Sequence, residues 1–250
     1  VLVMAEAEDR VVSGGARDLG LVEARQKAQK NGQMVRFDFD AETGTIHGVL
    51  GLKRASMEAQ DQALAKDEEA FSATVFNTLA DAQAAFNSMD SNTKSDSQCF
   101  NRAHGWSWDL YRTRSIHSQK VFIFFTAKYI RKYDYKWWFH VAPFILAQGP
   151  NGVDQYVLDR SFTKGPRTMQ DWTNVFMYND ALCPTVAKYT DYRQHQNEQW
   201  CYLIKANMYY RSPRDLELLE RDGRQELDWN MAEIRQARRQ AFRNWRNYNP

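Results

Sequence analysis

Three side chains in this 250-residue chain could together attack an amide: Cys99, His140 and Asp159. Cys99 follows the polar run SDSQ and opens CFNRAHGWSWDLYRTRS, a segment with a helical pattern that Gly105 weakens. At the start of a helix, unpaired N–H groups and the positive end of the dipole favour a thiolate and can bind a developing oxyanion. A cysteine nucleophile also needs a base, and an imidazole is the usual choice.

The turn GPNG, at residues 149–152, allows the surroundings of His140 to be predicted from local sequence. If this turn closes a hairpin, the numbers of facing residues sum to about 301, so His140 faces residue 161. Asp159 then lies two residues away on the same side of the neighbouring strand, where a carboxylate would fix the imidazole tautomer and stabilise the imidazolium. The approach of Cys99 to this pair depends on tertiary structure, which spacing does not determine.

The segments around these residues predict an α+β fold, with the helix that starts at Cys99 packed on an antiparallel sheet. Residues 121–128, 136–148 and 154–162 have strand composition, rich in β-branched and aromatic side chains. GPRTMQDWTNVF starts another helix, and the basic segment NMAEIRQARRQAFRNWRNYNP is interpreted as a solvated helix that packs by one face. Residues 56–89 have a helical repeat whose apolar face contains Val75, Leu79, Ala82, Phe86 and Met89.

The N-terminal residues form a separate small module in this interpretation. LGLVEARQKAQKNG, at 18–31, has the pattern of a helix that ends at Asn31-Gly32. MVRFDFD and TIHGVLGLKR, joined by AETG, have the pattern of a hairpin. The predicted boundaries are 1–70 for this module and 71–250 for the catalytic domain.

Composition excludes several classes of partner. The net charge of +2 argues against a nucleic-acid-binding protein, because such proteins are usually distinctly basic. No apolar run approaches the roughly 20 residues of a membrane helix, so we expect no membrane partner. No Cys/His cluster has metal-ligand spacing and no glycine-rich phosphate loop is present, so we expect neither a metal nor a cofactor.

The first residue of the chain and two of its cysteines give expectations about the cellular compartment of the protein. The chain begins at Val1, so we expect an upstream segment, such as a signal peptide, to have been removed. Cys183 and Cys201 flank a polar loop, and they either form a disulfide in an oxidising compartment or are ordinary buried side chains.

The motifs CFNRAH, WWFHVAP, VLDRSF followed by GP, and MYYRSP resemble, in that order, those of bacterial protein-glutaminases. These protein-glutamine deamidases have a papain-like or transglutaminase-like core. The resemblance covers roughly residues 22 to 215 and implies a catalytic triad of Cys99, His140 and Asp159. It also implies that the protein hydrolyses glutamine side chains of protein or peptide substrates to glutamate and ammonia. We further expect that it needs no cofactor and is a monomer.

Three aromatic residues before the histidine are candidates for substrate binding. Trp137 stands where the resemblance places an aromatic residue beside the cleft, and Phe139 where it places one just before the histidine. Strand alternation instead puts Trp138 on the same face as His140, since neighbouring strand residues point to opposite faces. The two arguments disagree, so the wall of the glutamine slot stays open between Trp137 and Trp138.

The N-terminal module resembles the pro-region of the same family, through RQKAQKNGQMVRFDFDAETGTIHGV and RASMEAQDQA. This implies a secreted or periplasmic zymogen, while a permanently attached support domain is the alternative. Two departures from the family are evident. The family is rich in disulfides whereas this chain can form at most one, and the basic helix after about Asp222 has no family counterpart.

Other functions remain open for the same residues. A papain-fold cysteine peptidase or a peptidoglycan amidase would use the same triad on another amide. A toxin or effector would deamidate one host glutamine. A non-catalytic binding or self-protection protein could share the fold without the activity.

Overall fold

The computed structural model describes residues 35–40, 45–51, 73–223 and 228–245. The chain divides into two units, residues 1–65 and residues 66–250. In the first unit, β1 (Val35–Asp40) and β2 (Thr45–Gly51) pair in antiparallel fashion, which confirms the hairpin predicted there. The helix predicted at 18–31, and the part of the predicted helix before residue 73, lie outside the described residues.

In the second unit, the described residues form a six-stranded sheet with helices against it. The elements, in chain order, are β3 (Val75–Phe76), α1 (Leu79–Ser88), α2 (Cys99–Arg114), β4 (Gln119–Phe125), α3 (Ala127–Tyr133), β5 (Phe139–Gly149), β6 (Gly152–Val157), β7 (Arg167–Thr168), α4 (Met169–Asn174), α5 (Tyr189–Gln194), β8 (Cys201–Ala206), α6 (Pro213–Asp222) and α7 (Met231–Ala241). Five strands follow the order β7-β6-β5-β4-β8 with every pair antiparallel, and the sixth, β3, pairs in parallel with β5. The α+β fold predicted from the sequence is therefore confirmed.

Strand β4 lies at the centre of the sheet and is buried on both faces. Its residues from Val121 to Phe125 are all 0% exposed, as expected for an apolar strand covered on both sides. One face of the sheet carries Val121, Ile123, Ala142 and Phe144, which pack with Trp172 and Phe176. The opposite face carries Phe122, Phe124 and Val141, which pack with the first turns of α2 and with α6 through Phe100, Ala103 and Leu216.

The hairpin of β5 and β6 has the predicted register. Gly149 faces Gly152 and Phe144 faces Val157, so the facing numbers keep the sum expected from the GPNG turn. The N–H of Leu158 still donates to the carbonyl of Pro143, and the chain then turns at 160–162. Residues 158–162 were therefore wrongly predicted to be strand.

Helix α2 packs closely against α7 at Gly105. A β-carbon on this residue would lie 2.6 Å from the Phe242 ring, so any larger side chain would push that ring away. Gly105 has low helix propensity, but its lack of a side chain permits this close contact with Phe242, the residue after α7. Trp106 stacks edge-on against the same Phe242 ring, with 6.3 Å between centroids.

Two further boundaries differ from the predictions. The strand expected over 121–128 ends at Phe125, because Thr126 caps α3 by accepting a hydrogen bond from the N–H of Tyr129 at 3.3 Å. The helix expected through residue 89 begins only at Leu79, since Val75 and Phe76 pair as a short strand with β5. Val75 is accordingly 54% exposed, while Ala82, Phe86 and Met89 are buried as predicted.

Cys183 and Cys201 form a disulfide, which resolves the two possibilities left open by the sequence. The bond ties the loop after α4 to the first residue of β8. Cys99 keeps a free thiol. None of the helices in the described parts of the chain is long and apolar enough to cross a membrane.

Candidate active site

Cys99 is the first residue of α2, as predicted, and its side chain is half-buried. Gln98 precedes it as the N-cap without a side-chain capping bond. The polar loop before the helix is held by the end of α7. The Lys94 N–H donates to the Ala241 carbonyl at 2.8 Å, and the Arg243 N–H donates to the Asn92 carbonyl at 2.9 Å. The sulfur therefore stands at a helix start whose preceding loop is anchored.

His140 and Asp159 form a buried pair at the open end of the hairpin. His140 Nε2 donates to Asp159 Oδ2 at 2.7 Å, and the two residues are 3% and 0% exposed. The bond to the carboxylate keeps a proton on Nε2. It leaves Nδ1 as the ring nitrogen available to another group.

Asp159 is held by more than the imidazole. Trp172 on α4 donates its indole N–H to the same Oδ2 at 2.9 Å, and the Ser161 N–H donates to Oδ1 at 3.2 Å. Burial alone raises the pKa of Asp159, but the His140 charge and these donors outweigh it and hold the pKa below its usual value. The carboxylate is thus kept ionised and in one orientation.

Cys99 contacts the same imidazole. Burial lowers the pKa of His140, but the Asp159 charge, the bond to Asp159 and a hydrogen bond with Cys99 raise it to about 9. The imidazolium is therefore the favoured state of His140 when both neighbours are charged. The arrangement places a proton on His140 beside the sulfur, and that is what a thiolate nucleophile and a proton donor require.

The sulfur and the imidazole come from elements on opposite faces of the sheet. Helix α2 packs on the face of Val141, whereas His140 belongs to the opposite face with Ala142. Strand β6 pairs with β5 from Phe144 onward, and the Leu158 N–H still reaches the Pro143 carbonyl, but no strand among the described residues pairs with β5 before that point on this side. Side chains from the two faces can therefore reach each other around this end of β5.

A guanidinium lies close to both acidic partners. Arg102, one turn after Cys99 on α2, donates to the Ser97 carbonyl and to the Ser97 hydroxyl, the latter at 3.0 Å. Burial lowers the pKa of Arg102, while the charges of Cys99 and Asp159 act in the opposite direction. Arg102 therefore brings a positive charge close to both Cys99 and Asp159.

The first turn of α2 is tied to α7 through Arg211. Its Nε and Nη2 donate to Asn101 Oδ1 at 3.0 and 2.6 Å, and its Nη1 donates to Gln236 Oε1 at 3.0 Å. Asn101 in turn donates to Gln240 Oε1 at 2.9 Å. Since Asn101 is 2% exposed, these bonds fix a buried polar group two residues after the thiol.

The three candidate aromatic residues occupy different places. Trp137 stacks on the His140 ring with 6.3 Å between centroids. Trp138 instead packs on Phe139 at 4.4 Å. The prediction from strand alternation is wrong because β5 begins at Phe139, so both tryptophans precede the strand. Phe139 lies 6.3 Å from the ring of Phe100 on the α2 side, away from the His140 face.

Several residues that contact the pair were not predicted from the sequence. Phe162 and Phe176 lie 5.0 and 4.8 Å from the His140 ring, and Trp172 donates to Asp159. Phe162 stands in the quoted motif VLDRSF, so its closeness to Asp159 in the chain was a usable signal. Trp172 and Phe176 lie far along the chain and carried no such signal.

His104, predicted to pack or to face solvent, is buried and lies apart from these residues. Lys120 Nζ donates to its Nδ1 at 2.8 Å. Burial, and then the charges of Lys120 and Arg211, lower the pKa of His104 well below its usual value. Among the residues that the structure describes, no three His, Cys, Asp or Glu side chains cluster closely enough to hold a metal ion.

Comparison with known proteins gives one family match. The model of a family described as Glutaminase matches residues 72–177, the segment that contains all three candidate residues. The predicted resemblance extended from about 22 to 215, so its two outer parts lie beyond the matched segment. No curated protein matches the chain.

Solved structures of protein-glutaminases also align with the chain. The NMR structure of protein-glutaminase from Chryseobacterium proteolyticum is 18% identical, with a TM-score of 0.38, over 57% of this chain and 79% of that one. A crystal structure of pro-protein-glutaminase is 16% identical, with a TM-score of 0.37, over 78% and 71%. A crystal structure of protein-glutaminase is 17% identical, with a TM-score of 0.40, over 66% and 86%. The family match therefore shows that residues 72–177 resemble a domain of the glutaminase family.

Proposed function

We propose that the protein is a protein-glutamine deamidase with Cys99 as nucleophile, His140 as acid and base, and Asp159 as the residue that orients His140. The observation that carries this proposal is the buried imidazole, which bonds to the Asp159 carboxylate at 2.7 Å and whose pKa is raised in part by a hydrogen bond with Cys99. The glutaminase-family match over residues 72–177 supports a glutamine amide as the bond that is cleaved.

The first half of the reaction is acyl transfer to sulfur. The Cys99 thiolate attacks the side-chain amide carbon of glutamine, and the carbonyl electron pair moves to oxygen. Backbone N–H groups at the start of α2, including that of Cys99, stabilise this oxyanion. The carbon–nitrogen bond then breaks as His140 gives its proton to the leaving nitrogen, which departs as ammonia and leaves a thioester.

The second half is hydrolysis. Neutral His140 takes a proton from water, and the hydroxide formed attacks the thioester carbon. The carbon–sulfur bond breaks, which returns the thiolate and releases the glutamate side chain. Asp159 stabilises the imidazolium that forms at this step without itself becoming protonated.

The test is mass spectrometry of a glutamine-rich protein such as casein after incubation with the enzyme. We expect a gain of about one dalton per converted glutamine, with ammonia release, and loss of both after iodoacetamide treatment or Cys99→Ala, as for a thiolate-dependent reaction. Asp154→Asn, an exposed change on β6, is a control that should keep full activity. Absence of any mass gain with the untreated enzyme would contradict the proposal.

A cysteine peptidase or peptidoglycan amidase is the competing function, because it would use the same three residues. The two are distinguished by their products. New amino termini, or release of cell-wall fragments, without ammonia would favour the competitor. A proteome-wide deamidation screen extends the test, since conversion of a single host glutamine would indicate an effector. A Cys99→Ala protein that retains its full biological role would indicate a binding or self-protection protein.

We further propose that residues 1 to about 70 hold the enzyme inactive until they are cut off. The support is their sequence resemblance to a pro-region, together with the division of the chain near residue 65. Limited proteolysis followed by an ammonia assay tests this. A rise in activity after removal is the expected result, and unchanged activity would indicate a permanent support domain.

We infer that the protein works in an oxidising compartment outside the cytosol, as a secreted or periplasmic enzyme. The Cys183–Cys201 disulfide supports this, because such bonds persist chiefly in oxidising surroundings. Fractionation of the producing cells tests it, with the enzyme expected outside the cytosol. Recovery of the protein only from the cytosol, with both cysteines reduced, would contradict it.

A further inference from the structure

An aromatic pocket adjoins the imidazole of His140. It has a volume of about 370 Å³, and its walls include Tyr135, Trp137, Phe162, Phe176 and Tyr178. The mechanism proposed above uses none of this space. Trp137, Phe162 and Tyr178 are 44%, 37% and 68% exposed, so these large apolar rings are presented to solvent without a cover from the described residues.

The pocket borders the candidate active site because three of its walls also lie against the His140 ring. The ring centroids of Trp137, Phe162 and Phe176 lie 6.3, 5.0 and 4.8 Å from that of His140. An extended chain advances about 3.3–3.6 Å per residue. A polypeptide whose glutamine reaches Cys99 therefore passes this pocket within one or two residues of the glutamine.

The lining decides the chemistry of the occupant. Tyr135 stands nearly perpendicular to Trp137 and to Tyr178, at 77° and 83°, and Trp137 stands at 73° to Phe162. Such walls offer both faces and edges to a further ring, and aromatic rings prefer edge-to-face or offset contacts. The charged residues at the pocket, Asp134 and Lys136, are one acid and one base, so the rim favours neither charge.

We propose that this pocket is a specificity subsite that binds an aromatic side chain one or two positions from the target glutamine. The inference rests on the proposed function and adds a substrate class to it: exposed, extended protein segments that carry an aromatic residue beside glutamine. Tyr178 and Val175 are specificity-determining residues in this account, since both line the pocket and neither is among the rings that contact His140.

The experiment compares short peptides that contain one glutamine among alanine and serine, with a single phenylalanine, lysine, glutamate or alanine placed one or two positions to either side. Ammonia release gives kcat/KM for each. We expect phenylalanine at one of these positions to raise kcat/KM about tenfold or more over alanine, as burial of a phenyl ring implies. Lysine and glutamate should bring no such gain.

Substitutions of pocket residues test whether the preference for phenylalanine arises in this pocket. Tyr178→Ala and Val175→Ser should each reduce the ratio of kcat/KM between the phenylalanine and alanine peptides. Leu182→Ala is the matched control, because Leu182 is a 77% exposed apolar residue in the same stretch of chain that does not line the pocket. It should leave that ratio unchanged.

The outcomes separate the two proposals. Deamidation without any aromatic preference, or a ratio that Tyr178→Ala and Leu182→Ala change alike, would overturn the subsite and leave the deamidase intact. A gain with lysine instead of phenylalanine would overturn the aromatic occupant. No ammonia from any peptide, while iodoacetamide still alkylates Cys99, would remove the proposed function and this subsite together.

Discussion

His140, on β5, and Asp159, two residues after the end of β6, meet at 2.7 Å, and both are almost fully buried. Their contact depends on the turn at 149–152, whose register brings the end of β6 back to the start of β5. Two charges in such a site stabilise each other, and removal of one leaves the other buried without a partner. The site should therefore respond sharply to changes at either residue.

Asp159→Asn should lower kcat about 10³- to 10⁴-fold, because a neutral amide neither stabilises the imidazolium nor enforces the tautomer. Steady-state ammonia release measures this. Asp154→Asn, on the exposed part of β6, provides a matched control with the same chemical change. Retention of more than a tenth of the activity by Asp159→Asn would exclude the role assigned to the carboxylate.

Trp172→Phe should keep the ring but lose the indole bond to Asp159 Oδ2. We expect a loss of about 1–3 kcal/mol in the free energy of unfolding, as for a buried acceptor that loses a donor, and about tenfold lower kcat. Urea denaturation and ammonia release measure the two effects. A variant as active and as stable as the parent would show that Trp172 does not position the carboxylate.

Stability should depend on pH through His140. The fold raises its pKa from 6.5 to about 9, so folding favours the imidazolium. This contribution is complete below pH 6.5 and is lost as the pH rises through about 9. The difference in unfolding free energy between the parent and His140→Gln should therefore shrink between these pH values. A difference that stays constant or grows over this range would contradict a raised pKa.

Arg211→Met should lower kcat more than it raises KM, because Arg211 holds the first turn of α2 through Asn101 and does not itself touch the reacting atoms. We expect a decrease of about tenfold, the size of one lost charged hydrogen bond. Arg214→Met, on the exposed side of α6, is the control. A change confined to KM would indicate that Arg211 acts on substrate binding instead.

The His140–Asp159 pair could be predicted from sequence because both depend on local geometry. The GPNG turn sets the register of a hairpin, and the register places residues on each strand. The start of α2 at Cys99 could also be predicted, from a polar run followed by a helical pattern. The meeting of Cys99 with His140 could not, because it depends on where β6 stops pairing with β5.

Other predictions from the sequence were wrong for physical reasons. Alternation requires a continuous strand, but the backbone bends at Trp138 before β5 begins, so Trp137 takes the place assigned to its neighbour. The segment VFIFFTAKYI has strand composition throughout, yet Thr126 caps a helix that begins at Ala127. Thr126 was the available signal, because threonine is a favoured N-cap.

The most direct test of the account is the identity of the residue that carries the acyl group. Rapid acid quench of the enzyme with a glutamine peptide, followed by mass spectrometry, should show an adduct equal to the peptide less one ammonia, located on Cys99 and absent from Cys99→Ala. Ammonia release without such an adduct, or an adduct on any other residue, would contradict Cys99 as the nucleophile beside His140.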